Sequence, residues 1–495
     1  MTPVKYNGRM VSRTVIILIC VGCVLGLVGL TVLGQEAFRT VRDARKAGVS
    51  LWAHLRATGR SQLPDSLEDA QAGRSWLARS VGSIDWPLVL LLLIALLLRV
   101  LWVVLIQPPS WEIYRDSIAY DRMGGLLVSS GTLSLSEAGV PVPSAFYTPG
   151  YPLFIAAVYA VFGTGAGRES ALYLAQAVVS VITLFAIYRI GLRMYGRKAA
   201  LLAVAIGALY WPFVMANNLA LTEVLFMLVL SFLVLAAVRL LQSASWWNAA
   251  LFGLLLGLCC LVRPVVVLWG VAPFLFLLKK VPFRRLTLMG GLALLVFSLV
   301  MSPWWVRNAE AFGRFVPFNT SSANPLLVGT HYGFPGDTGI TEDVFDIVSD
   351  SPEEELAKNA RWQSQAIQRL KDQLRDEPGN LLKQRYELTR VALTWPYDLI
   401  LWRIPQWAWD ASIIAQTTLI LLALAGFVLN YRSRRSWMLF TLVVYFLAAH
   451  VIILIFNRYL FPVMPVIILA AAYAIVTIVT LPRTARMALP DQMAG

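Results

Sequence analysis

The chain has 495 residues, 58% hydrophobic and only 14% charged, where a soluble protein carries roughly 25% charged residues. Its many apolar runs near membrane-crossing length, without strict alternation, exclude a soluble globular enzyme and an outer-membrane-type barrel, and leave an all-α polytopic membrane protein. The net charge of +14 sits largely in short loops between those runs, so it speaks for orientation in an anionic membrane rather than for nucleic acid.

In chain order, the first run (14–34) follows Lys5, Arg9 and Arg13. It is long for a signal sequence and lacks a small-residue cleavage site, so an uncleaved anchor is expected, with an amphipathic loop completing 1–85. The runs at 86–107, 170–194, 198–216, 219–241, 246–262, 264–278, 286–303, 411–431, 437–455 and 460–481 bring the expected spans to about 11. A shorter run, 149–163, opens Pro-Gly-Tyr-Pro. Arg263-Pro264 interrupts the stretch 246–278, where the proline cannot continue the helix, so a hairpin with Arg263 at its tip is predicted.

The organisation read from these runs is an N-terminal anchor and loop (1–85) and a transmembrane core (86–303) with a first outer loop at 108–150. An extracytoplasmic loop with helices (304–410), C-terminal spans (411–481) and a tail (482–495) follow. Leu356, Ala360, Gln363, Ile367, Leu370 and Leu374 recur at helical spacing, which predicts helices packed against the membrane face.

Orientation follows from the basic loops. Arg189, Arg193, Arg197 and Lys198 form one set, Lys279, Lys280, Arg284 and Arg285 a second, Arg432, Arg434 and Arg435 a third, and Arg483 and Arg486 a fourth. All fall on one side, expected to be the cytoplasm, if 246–278 is a hairpin and 149–163 does not cross. The same scheme sets the basic N-terminus outside.

Motifs of soluble enzymes are missing: there is no Walker A pattern, no G-x-S-x-G and no histidine pair at metal spacing. His54, His331 and His450 stand alone and are expected to be structural or surface residues. Cys20, Cys23, Cys259 and Cys260 lie in apolar runs and are expected to be small core residues, with no metal site and no cofactor.

What remains is a gathering of charge at one membrane face. Asp116 and Asp121 stand in YRDSIAYDRM (114–123), Glu223 opens a span, Arg263 tips the hairpin, Arg307 follows Pro303-Trp304-Trp305, and Arg458 stands in FNRYLFPVMP. Arginines at that depth suit a lipid-linked phosphate, and a facing carboxylate suits a general base toward an acceptor hydroxyl. If 113–130 is helical, Asp116 and Tyr120 lie one turn apart on one face, whereas Asp121 and Arg122 point elsewhere and are expected to be solvated.

Here the chain resembles a known group. RDSIAYDRMGGLLVSSG, FYTPGYPLFIA, RMYGRKAALLAVAIGALYWPFVMANNLALTEVLF, GLLLGLCCLVRPVVV, SPWWVRNAEAFGRFVP and NRYLFPVMPVIILAAAYA recur in the order seen in GT-C polyprenyl-phosphate-dependent glycosyltransferases. The likeness is to the branch of protein mannosyltransferases (glycosyltransferase family 39) and aminoarabinose transferases, and it covers about 85–480. It implies a GT-C-type transmembrane helix bundle with a small, mostly helical extracytoplasmic region. It also implies a catalytic aspartate at Asp116 with Tyr120 four residues on, and carrier-phosphate and sugar contacts from Glu223, Arg263, Arg458 and Tyr459, to which the charge pattern adds Arg307.

Phe146-Tyr147-Thr148 departs from the pattern, since many relatives carry an acidic residue or a lysine before the proline pair. The implied activity is inverting transfer of a sugar from a polyprenyl-phosphate donor to a glycan, lipid or protein acceptor, outside a bacterial inner membrane. The alternatives are a lipid-linked sugar flippase, or a non-catalytic relative serving as an assembly subunit. A flippase is expected to show paired internal repeats and a midplane site.

Overall fold

The computed structural model describes residues 85–106, 115–137, 140–331, 346–396, 405–453 and 457–480. The expected anchor at 14–34, most of the 35–85 loop, and the tail with Arg483 and Arg486 lie outside the described residues.

Helix α1 (Trp86–Leu105) is followed by α2 (Arg115–Ser130) and the short α3 (Gly150–Phe162), then α4 (Arg168–Met194). Next come α5 (Arg197–Leu209), α6 (Trp211–Met215), α7 (Glu223–Gln242) and α8 (Trp246–Val262). A 3-10 turn (Pro264–Val271) leads into α9 (Ala272–Leu277) and then α10 (Phe283–Phe312). Three helices fill the polar region: α11 (Ala323–His331), α12 (Pro352–Asp376) and α13 (Pro378–Thr394). The chain closes with α14 (Gln406–Leu429), α15 (Arg434–Ile452), α16 (Asn457–Leu460) and α17 (Met464–Thr480).

Among the described residues seven helical segments are long and apolar enough to cross a membrane: α1, α4, α7, α10, α14, α15 and Arg458–Thr480. An eighth crossing is assembled from Arg197–Leu209 and Trp211–Asn218, bent by 60°. The two arms around Arg263 are shorter apolar helices. Each run from 86 onward thus finds its own element, and the difference from about 11 spans lies in the 14–34 run and in how these short arms are counted. Burial sorts the bundle: α7 is 72% buried over its apolar window and α14 only 17%, so α7 is central and α14 faces lipid.

The bend between α5 and α6 has an identifiable cause. Pro212 cannot continue the preceding helix, and the carbonyls it frees need donors. Arg99, fully buried in the middle of α1, supplies them: its guanidinium reaches Gly207 and Ala208 carbonyls at 3.3 and 3.4 Å, Ala95 carbonyl at 3.0 Å and Ser180 Oγ at 2.8 Å.

The hairpin forms as predicted. Phe252 meets Trp269 and Phe274 at ring separations of 6.5 and 5.9 Å, and Leu256 packs on Gly270, so residues equally far from Arg263 face each other. Helix α3 stays on one side. Tyr151 in its first turn donates to Gln176, and Tyr159 near its end donates to Asp121, which also binds Arg168. Both ends of α3 are therefore tied, directly or through Asp121, to the first turns of α4.

The basic loops converge at the opposite end. Arg435 donates to the Arg193 carbonyl at 3.3 Å, Arg193 to Gln242 at 3.2 Å and Arg285 to the Ala244 carbonyl at 2.9 Å. Arg197 pairs with Asp85 at the start of α1.

Helix crossings are closest where glycine removes a side chain. A Cβ on Gly426 of α14 would come within 2.1 Å of the Ala470 carbonyl oxygen of α17. Gly426→Ala should therefore cost roughly 1–3 kcal/mol, the usual range for overpacking, read as a lowered melting midpoint in detergent. An unchanged midpoint would show that the two helices do not approach this closely.

Candidate active site

Four charged side chains meet at the end of the bundle away from the basic loops, each delivered by a different segment. Asp116 lies in the first turn of α2. Glu223 opens α7. Arg263 occupies the extended link between the hairpin arms (φ −148°, ψ 116°), where Pro264 prevents the helix from running on. Arg458 comes from α16, just before α17.

The charges form two ion pairs. Arg458 donates to Asp116 Oδ2 at 2.9 Å, and Arg263 donates to Glu223 Oε1 at 2.5 Å and to Thr222 Oγ1 at 2.6 Å. The Asp116 side chain is 31% exposed, whereas that of Glu223 is 1% exposed. Glu223 Oε2 is buried and has no hydrogen-bond partner among the described residues. Such an atom is costly to leave unsatisfied.

Aromatic rings complete the walls. The expected Asp116–Tyr120 face exists, since α2 is helical through both. The Tyr120 ring lies 4.4 Å from that of Tyr147 and 5.0 Å from that of Tyr151. Tyr459 lies beneath both arginines, with the Arg458 and Arg263 guanidiniums 5.2 and 5.9 Å from its ring centre. His450, expected to be structural or surface, stacks on the other side of this cluster at 4.8 Å from Tyr459.

Tyr147 closes the site. Its hydroxyl donates to Asp116 Oδ1 at 2.7 Å, and the adjacent Thr148 donates to the Val262 carbonyl at 2.8 Å, next to Arg263. Burial works to raise the Asp116 carboxyl, but Arg458, the Tyr147 hydroxyl and Arg263 outweigh it and hold the group below the ordinary carboxylate range. Burial and the Asp116 carboxylate push Tyr147 far above a free phenol, so it stays a neutral donor. Tyr120 is raised for the same two reasons.

A second buried carboxylate holds this loop from behind. Glu355 accepts from Ala145 N–H at 3.0 Å and from the Thr320 hydroxyl at 2.5 Å, while Thr320 N–H donates to the Ala145 carbonyl at 2.9 Å. Burial raises the Glu355 carboxyl despite the Thr320, Ser144 and Ala145 bonds. Arg307 belongs here: it donates to the Leu133 carbonyl at 3.1 Å, covers the Trp304 ring and exerts its charge on Glu355. The structure therefore joins Asp116, Tyr120, Glu223, Arg263, Arg458 and Tyr459 and sets Arg307 behind the 131–148 loop.

Asp121 does point away from Asp116, but it is not simply solvated. It accepts both Nε and Nη2 of Arg168 at 3.1 Å, plus the Tyr159 hydroxyl, because α3 and α4 lie against that side of α2. Arg122 pairs with Glu137 and donates to the Leu135 carbonyl. Among the described residues no group of three or more His, Cys, Asp or Glu side chains is arranged to hold a metal ion.

Residues 143–306 match the family model described as dolichyl-phosphate-mannose-protein mannosyltransferase, about a third of the chain. The likeness is to that segment and not to the chain as a whole. The segment carries Tyr147, Glu223 and Arg263, whereas Asp116 and Arg458 lie outside it.

No curated protein matches the sequence. Among solved structures, an oligosaccharyltransferase from Archaeoglobus fulgidus, in complex with zinc and sulfate, overlaps at 13% identity and a TM-score of 0.45, covering 82% of this chain and 51% of its own. The AglB oligosaccharyltransferase of that organism, in complex with an inhibitory peptide and a dolichol-phosphate, gives 11% and 0.44, covering 79% and 50%. ArnT from Cupriavidus metallidurans, bound to undecaprenyl phosphate, gives 15% and 0.38, covering 80% and 78%. The chain spans about half the length of the archaeal enzymes. The family likeness rests on the 143–306 segment rather than on these overlaps.

The bond from Tyr147 favours the ionised form of Asp116, so Tyr147→Phe should raise the carboxyl's pKa toward its unfolded value. A depressed carboxyl contributes stability above its unfolded pKa and loses it as pH falls through the folded one. The melting-temperature gap between the parent protein and its Tyr147→Phe variant should thus be widest near neutral pH and narrow in acid. A gap that does not change with pH would separate Tyr147 from the Asp116 charge.

Proposed function

We propose that this chain is an integral-membrane glycosyltransferase that moves a sugar from a polyprenyl-phosphate-linked donor to an acceptor hydroxyl or amine. The basic loops gathered at one end support a cytoplasmic assignment for that end. The site at the other end then faces the outside of the cytoplasmic membrane. The donor class is supported by the description of the matching family, which names a dolichyl-phosphate sugar.

One observation carries the reading: an ionised carboxylate and two guanidiniums share one pocket at a membrane face. Asp116 accepts the proton of the acceptor as its oxygen or nitrogen attacks the anomeric carbon. The bond from that carbon to the phosphate oxygen breaks, and its electron pair leaves on the lipid phosphate. A single displacement of this kind inverts the anomeric configuration.

Charge growing on the departing phosphate is met by Arg458 and Arg263. Thr222 and Glu223 occupy Nε and Nη2 of Arg263, which leaves its Nη1 available to an anion. Glu223 Oε2, buried and unpartnered, accepts from a donor hydroxyl. Tyr459 and Tyr120 shape the floor against which the sugar ring lies.

Asp116→Asn should keep the fold and lose roughly 10²–10⁴-fold in transfer, the usual share of a general base. The assay is release of label from polyprenyl-phosphate sugars supplied to purified protein. Near-parental turnover by this variant would sink the reading and favour a flippase or an assembly subunit, neither of which needs that carboxylate. Arg263→Ala should weaken donor use more than it lowers expression, seen as a raised KM for the lipid donor.

A further inference from the structure

Helix α12 carries its apolar stripe to one side of its buried face, and the protein covers only part of it. Leu356, Ala360, Ile367, Leu370 and Leu374 recur three, four or seven residues apart and share one side. The buried residues are instead Glu355, Lys358, Trp362, Ala366 and Gln373. Leu356 packs against the core and Leu370 is half-buried, but Ala360, Ile367 and Leu374 are open, the last two 41% and 56% exposed.

The inward face is mixed: Trp362 and Ala366 pack with Phe146 and Leu327, while its polar residues meet backbone groups of loops and helix ends. Glu355 takes the Ala145 N–H, Lys358 donates to the Val348 carbonyl, and Gln373 donates to the Thr330 carbonyl at 2.7 Å. Rolling the helix to bury its stripe would orphan all three groups. The open part of the stripe must therefore be covered by something outside this chain's packed core.

Helix α13 shows what that is. Leu382 and Tyr386, one turn apart, are 71% and 66% exposed. Arg385, on the flank of this pair, donates to the Ile453 carbonyl at 3.2 Å, at the end of the membrane span α15. Ile452 beside it is 69% exposed, as a lipid-facing residue should be. The open apolar surface of α13 is thus continuous with the lipid border of a span, and α13 starts two residues after α12 ends.

We infer that α12 from Ala360 and the start of α13 lie in the boundary between headgroups and acyl chains, in the leaflet on the side of the active site. Leu374 and its companions then enter the lipid, and exposed Lys371 and Lys383 reach up to the headgroups from the flanks. The opposite face of the same helix holds Glu355 on the loop that brings Tyr147 to Asp116. The membrane surface is in this way a partner of the site's outer wall.

The test needs no substrate. Leu374→Cys and, as a control on another face, Asp372→Cys carry an environment-sensitive fluorophore in full-length protein, in phosphatidylcholine nanodiscs containing lipids spin-labelled near the headgroup. Unsubstituted protein measures background labelling, Cys259 and Cys260 being buried. Size-exclusion profiles matching the parent certify folding. The label at 374 should be quenched at least two-fold more than that at 372. Equal quenching, or quenching at 374 by a water-soluble agent alone, would overturn the inference. So would efficient cross-linking of unlabelled Leu374→Cys between copies, which would make a second chain the cover.

Discussion

Two carboxylates and two guanidiniums at the end of an apolar bundle have to neutralise one another, and the arrangement of the surrounding elements follows from that requirement. An unpaired charge in such a place costs several kcal/mol or more, so each pairing fixes the chain segments that supply it. Asp116–Arg458 joins α2 to the link before α17, across 342 residues of sequence. Glu223–Arg263 joins the start of α7 to the hairpin tip. The pairs sum to no net charge, yet Glu223–Arg263 keeps two unused hydrogen-bonding atoms among the described residues: Glu223 Oε2 has no donor, and Nη1 of Arg263 has no partner. A balanced, incompletely satisfied cluster is a receptive one.

Much of the bundle is legible in the sequence because its signals are local. Apolar runs mark the helices from 86 onward, Pro264 marks the break, and the position of Lys and Arg sorts loops to one end. The four-residue interval from Asp116 to Tyr120 is also local, and the helix honours it. Contacts between distant segments leave no such trace. Nothing in Phe146-Tyr147-Thr148 announces a hydrogen bond to a carboxylate 31 residues earlier, although that tripeptide is where the chain departs from the pattern it resembles. Arg307 reads like the other arginines at that level, but the folding of the 131–148 loop over α10 draws it to Leu133 and Glu355. Arg99 passes unnoticed inside an apolar helix, and His450 reads only as a lone histidine, because a single polar residue there has no periodicity of its own.

The stripe of α12 illustrates a different limit. Helical periodicity finds the helix, yet the apolar stripe is not the buried side. On the buried side Trp362 and Ala366 pack on Phe146 and its neighbours, and Glu355, Lys358 and Gln373 meet backbone of loops and helix ends. Periodicity reports which face is apolar, and only the surroundings decide which face is inside. The same surroundings give the loop above the site its rigidity. Ala145 is clamped through both its N–H and its carbonyl by Glu355 and Thr320, while Thr148 is tied to the hairpin two residues before Pro264.

Helix α3 has a consequence for the topology as a whole. Crossings alternate the side on which a chain emerges, so every non-crossing segment preserves parity for all that follows. Since both ends of α3 are held near the start of α4, α4 begins on the level of Asp116. The next crossings then bring Glu223, Arg263 and Arg458 back to that same level in turn. Had thirteen apolar residues at 150–162 been extended enough to span the bilayer, every later segment would be inverted. The acid and its arginines would then face opposite compartments. The shortness of one helix is what allows residues from four parts of the chain to share a pocket.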